Sequence, residues 1–85
     1  RVSGAGGRLR RPLHPMPEFV RQALVERGLM EAYRRRPPYQ RNDYLRWIDG
    51  ARREETRQAR LARMLDELQR GDVYMGMPWR GRRDR

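Results

Sequence analysis

The stretch Glu54–Gly71, EETRQARLARMLDELQRG, decides the fold. Leu61, Met64, Leu65 and Leu68 fall at i, i+3, i+4 and i+7, which places them on one side of a helix turning about 100° per residue. Glu54 and Glu55 open the segment, where the positive end of a helix dipole favours acids. Arg70 closes it and Gly71 stops it. Asp66 and Arg70 stand at i, i+4 in the favourable order, which supports an exposed helix by about 0.3–0.5 kcal/mol.

The same reading, carried upstream, gives three shorter helices. Over residues 17–27, Pro17 suits the first helical position and Glu18 the first turn. Phe19, Val20, Ala23 and Leu24 make an apolar face, and Gly28 ends the helix. Over 29–35, Leu29, Met30 and Tyr33 point inward, and the Pro37–Pro38 pair terminates the segment because a proline drives its predecessor out of helical geometry. Over 40–51, Tyr44, Leu45, Ile48 and Ala51 form the inward stripe, with Trp47 on its border. The clearest helix spans 53–70. The following run, DVYMGMPW, is apolar but broken by glycine and proline, so it is expected to lay a few side chains over the helices. No β-strand signal of useful length is present. The expected fold is all-α: a small bundle of three to four helices within residues 16–79, with flexible Arg-rich termini.

Composition agrees with one domain. The chain has 85 residues, of which 36% are hydrophobic and 8% aromatic, enough for a modest core. Charge is concentrated at the ends. Of the 21 basic residues, all arginine, four lie in residues 1–15 beside no acid, and four lie in 80–85 beside Asp84 alone. The segment 16–79 holds thirteen arginines against ten acids, so most of the net +10 belongs to the ends. Residues 1–15 are read as a flexible basic tail, leader or tag, and 80–85 as a second basic tail. No apolar run approaches the roughly 20 residues of a membrane span, and no signal-peptide core is present, so a cytoplasmic location is the expectation.

The inventory of reactive groups is short. There is no cysteine, which removes thiol catalysis and thiolate zinc sites. The single histidine, His14, sits between prolines in the tail and reads as an exposed imidazole. Glu54/Glu55 and Asp66/Glu67 are adjacent on a helix, where side chains diverge by about 100° and cannot form an acid–base pair. Ser3 lies in the tail, and Thr56 occupies a first helical turn where its hydroxyl is expected to bond backbone. No metal site, no cofactor and no enzymatic activity are therefore expected.

Arginine and aromatic side chains offer more. Arg34–Arg36 form a run beside two prolines and Tyr39. Arg53, Arg57 and Arg60 line one strip of the last helix, near Tyr39, Tyr44 and Trp47. Such a strip could hold a phosphate backbone while aromatics stack on bases, or serve as a solvated helix surface. Arg57 heads the apolar stripe that runs to Leu61, Met64 and Leu68. A buried guanidinium needs a counter-charge, and the connectivity offers Asp43 or Asp49 of the preceding helix.

The run from Tyr39 to Arg60, YQRNDYLRWIDGARREETRQAR, resembles the bacterial YdeI/OmpD-associated, or bacteriocin-protection, family. The likeness rests on an aromatic followed by basic residues, a Tyr-x-x-Trp-Ile step (Tyr44 to Ile48), and Glu55-Thr56-Arg57-x-x-Arg60, its most specific part. It extends from Pro17 to about Gly71. Arg52–Arg53 stand where that family usually has lysine with a proline soon after, and Gly50 replaces a more helical residue. The resemblance implies a compact helical domain to which no catalytic residues are attached, and a role in stress or toxin tolerance. The expectation is a non-enzymatic interaction domain with an unknown protein partner, contacted through Tyr39, Trp47, Arg53 and Arg60. The alternative is an Arg-rich nucleic-acid-binding module drawing its affinity from the basic tails.

Overall fold

A computed structural model describes residues 13–79. It is a helical bundle of α1 (Glu18–Arg27), α2 (Met30–Arg35), α3 (Pro38–Asp49) and α4 (Glu54–Arg70), followed by a two-stranded ribbon, β1 (Val73–Tyr74) and β2 (Met77–Pro78). The expected flexibility of the basic tails falls on residues outside those described, apart from the stretch that begins at Leu13.

Local chemistry sets the helix boundaries. α1 ends in a Schellman turn: Gly28 takes φ +68°, its N–H donates to Val25 O, and the Leu29 N–H donates to Leu24 O. α3 begins at Pro38, two residues before its expected start, because a proline in the first turn lacks an N–H that would have no partner there. At the other end, Ala51 falls outside the helix but remains buried.

α4 packs against the other three helices and the ribbon. The core joins Val20 and Leu24 of α1, Tyr33 of α2, Tyr44, Leu45 and Ile48 of α3, and Leu61, Met64, Leu65 and Leu68 of α4. Each such aliphatic side chain, taken from water, contributes about 1.5–3 kcal/mol. The apolar stripes read from sequence are the ones that meet here.

Two expectations need correction. The segment after Gly71 does contain strands: Val73 pairs with Pro78 and Tyr74 with Met77, antiparallel. Met75 and Gly76 at the tip both have positive φ, +51° and +79°, as the tight two-residue hairpin requires. His14, expected to be exposed in a flexible tail, is anchored to α3. Its backbone N–H donates to Asn42 Oδ1 at 2.6 Å, and its Nε2 lies 2.9 Å from Asp49 Oδ2. Pro15, which follows it, limits the backbone and helps hold this register.

The ribbon is tied down by one carboxylate. Glu67, on the flank of the α4 core face, is only 3% exposed. It accepts from the Tyr44 hydroxyl, from the Met75 and Gly76 N–H groups at 2.8 and 2.9 Å, and from Arg63 Nε at 3.2 Å. Burial pushes the Glu67 carboxyl up, but these donors outweigh it and hold the group below its ordinary value of 4.5. On the other side of the same bond, burial and the Glu67 carboxylate push the Tyr44 phenol up.

Glu67→Ala leaves a buried hydroxyl and two amides without an acceptor, with an expected loss of about 2–4 kcal/mol in urea unfolding. A depressed carboxyl binds its proton more readily in the unfolded chain. Its contribution is therefore complete above the ordinary value and lost as pH falls through the lower folded value. The wild type should thus lose stability below about pH 4.5, and Glu67→Gln should flatten part of that slope. An unchanged slope in the glutamine variant would assign the acid sensitivity elsewhere.

Candidate functional site

Trp47 and Arg60, two of the residues singled out in the sequence, meet where α3 hands over to α4. Arg60 Nη1 donates to the Trp47 backbone carbonyl at 2.7 Å, satisfying one of the last four α3 carbonyls that have no helical partner. The same guanidinium lies 5.3 Å from the centre of the Trp47 ring. Arg63, one turn further along α4, lies 5.9 Å from that ring while its Nε reaches Glu67. The indole is thus held by two cations, a contact worth about 0.5–1 kcal/mol each when exposed. Arg63 was missed in the sequence reading, although its i, i+3 spacing from Arg60 was the available signal.

The other two candidates do not join this cluster. Tyr39 begins eight residues before Trp47 on α3, about 12 Å along the axis. It stacks edge-on against Tyr74 at 5.8 Å, and its hydroxyl accepts from Gln40 Nε2. Arg53 sits at the N-cap of α4, largely exposed, 3.8 Å from Glu55.

The expected pairing of Arg57 with Asp43 or Asp49 is not the one observed. Arg57 Nη1 bonds Glu54 Oε1 at 3.1 Å, Nη2 reaches Ala51 O at 3.3 Å, and the guanidinium lies over Phe19 at 5.9 Å. Glu54 is one turn away on the same helix, so the pair forms without crossing to α3. The acids of α3 are engaged elsewhere: Asp49 with His14, and Asp43 with the Tyr74 hydroxyl at 2.6 Å. Burial and that bond push the Tyr74 phenol up.

The basic run Arg34–Arg36 also divides. Arg34 is exposed beside Glu31, whereas Arg36 is 3% exposed. Its Nη1 donates to Gln40 Oε1 at 3.0 Å and its Nη2 to Glu67 O at 2.9 Å. Its guanidinium lies 4.5 Å from the Trp79 ring centre. Among the described residues no three His, Cys, Asp or Glu side chains are grouped to hold a metal ion. No described helix is long and apolar enough to cross a membrane.

The family model for bacteriocin-protection, YdeI or OmpD-associated proteins matches residues 14–71. The chain belongs to this family. The bacteriocin-protection match begins at the histidine that anchors α3 and takes in all four helices. It includes Trp47, Arg60, Arg63 and Glu67, and ends before the ribbon that Glu67 binds. No curated protein and no solved structure matches the chain.

Removing the Arg60 guanidinium strips both a carbonyl cap and a ring contact from the α3–α4 corner. Arg60→Met should lower the unfolding free energy by about 1–2 kcal/mol. Arg53→Met, which loses only an exposed ion pair, should cost under about 0.5 kcal/mol. Urea titrations followed by circular dichroism separate the two, and equal costs would remove the assigned role of Arg60.

Proposed function

We propose that this domain is a non-enzymatic interaction module, with the stress or toxin-tolerance role that its family membership suggests, and that it docks a protein partner through Trp47, Arg60 and Arg63. The observation that carries the reading is the indole lying 5.3 and 5.9 Å from two guanidinium groups at the α3–α4 corner. Tryptophan and arginine dominate the binding energy of protein interfaces, and a side chain already held in place loses less entropy on binding. Among the described residues, Arg60 has no carboxylate within 4.0 Å, so its charge stays available. The complementary partner surface is acidic. Arg53 and Tyr39, which do not join the cluster, fall outside this contact.

The charge distribution favours a second reading, in which the tails hold nucleic acid. Eight arginines lie in residues 1–15 and 80–85 with one acid between them, and each phosphate they neutralise releases counterions.

Affinity capture on the full chain from its own cells should return a discrete protein partner. Trp47→Ala, with helicity checked by circular dichroism, should reduce its retention by about tenfold or more. Val25→Ser, exposed on α1, should not. Single-stranded oligonucleotide binding should be weak and salt-sensitive, should vanish when the eight terminal arginines become glutamine, and should ignore Trp47→Ala. Oligonucleotide binding that survives the tail changes but fails with Trp47→Ala would replace the first reading by the second.

A further inference from the structure

A cleft of about 690 Å³ opens between α2, the end of α4 and Trp79, away from the Trp47 corner. Leu29, Ala32 and Leu68 supply apolar surface, and Arg35, Arg36 and Arg70 supply charge. Asp72 is the one carboxylate in the lining. The volume suits a small organic molecule.

Arg36 gives the cleft its character. It is nearly fully buried, yet its bonds go to an amide oxygen and a backbone carbonyl, both neutral. Among the described residues no carboxylate lies within 4.0 Å of it. Its positive charge is therefore not cancelled by a direct partner, and low-dielectric walls screen it poorly. Arg70 is shared with Asp66 at 3.5 Å in an exposed pair, which holds it weakly. Against the three guanidinium groups stand Asp66, Asp72 and about half a negative charge at the C-terminus of α4, which leaves a small positive excess centred on Arg36. A wall of cations above apolar surface selects a ligand with the opposite layout.

We infer that this cleft binds a small amphiphilic anion: an apolar chain or ring, ending in a carboxylate or phosphate, that lies on Leu29, Ala32 and Leu68 with its head group at Arg35 and Arg70. Arg36 supplies the fixed charge behind that head group, and Trp79 flanks it. The fork of an arginine pairs with either head group through two parallel hydrogen bonds. The concave lining fits a single soluble molecule and not a bilayer surface.

Octanoate is the probe, with octanol, octylammonium and inorganic phosphate as comparisons. The chain has two tryptophans, so Trp47→Phe makes Trp79 the sole indole reporter. In that background, octanoate below its micelle concentration should shift Trp79 emission saturably, with a dissociation constant of about 1 mM or tighter. Octanol, octylammonium and phosphate should bind about tenfold more weakly or worse. Arg35→Gln with Arg70→Gln, both at exposed positions, should weaken octanoate by about tenfold. Arg21→Gln with Arg52→Gln removes the same charge elsewhere and should leave the affinity intact. Equal binding of octanol would reduce the cleft to an apolar patch. Equal weakening by both double variants would reduce the effect to net charge. A response to anionic phospholipid vesicles without one to octanoate would make the site a membrane contact. Each of these outcomes overturns the proposal.

Discussion

A carboxylate cannot be removed from water without donors to replace it, and Glu67 meets that demand in a way that shapes the C-terminal half of the molecule. Its donors come from three places: a hydroxyl on α3, a guanidinium on α4 and two successive amides at the hairpin tip. The amides converge on one carboxylate because Met75 and Gly76 both adopt positive φ. The ribbon contributes only two residue pairs, too few for independent stability. Its position is therefore set by the buried charge more than by its own ladder.

A second recurring feature is donation by arginine to backbone carbonyls at or near helix ends. Trp47 O has no helical donor, whereas Glu67 O also accepts from the Gly71 N–H. Arg60 reaches Trp47 O at the end of α3, Arg36 reaches Glu67 O in the last turn of α4, and Arg57 reaches Ala51 O in the link between them. In each case another part of the same planar group faces an aromatic ring, Trp47, Trp79 or Phe19. A lysine ammonium has no planar face to lay against a ring while donating sideways. The exclusive use of arginine thus has structural uses at these positions, whatever set the composition as a whole.

Much of the fold was legible because it rests on local periodicity. The stripe from Leu61 to Leu68 and the stops at Gly28 and Gly71 depend on near neighbours and appear where expected. The errors share a different cause, dependence on remote partners. The hairpin was invisible because two-residue strands carry no alternating pattern, and its anchor lies on another element. Arg57 heads the apolar stripe by period, but it sits in the first turn of α4, where Glu54 and the preceding link are closer than α3. Arg36 looked like one of three equivalent surface cations until the fold enclosed it. For the candidate site, residue types were informative and grouping was not. Trp47 and Arg60 meet, Tyr39 and Arg53 lie apart, and Arg63 enters only once α4 is placed beside α3.

The arrangement around Gly76 has a consequence for how such a sequence can drift. A Cβ at that glycine would come within 2.6 Å of Arg63 Nη2, and Arg63 also touches both Trp47 and Glu67. A side chain at position 76 would displace a guanidinium serving two other groups, besides straining a left-handed backbone. Substitutions at 44, 47, 63, 67 and 76 are consequently not independent, because residues sharing partners have non-additive effects. A change tolerated at one of them depends on what occupies the rest, so lineages carrying this hairpin should explore those five positions jointly.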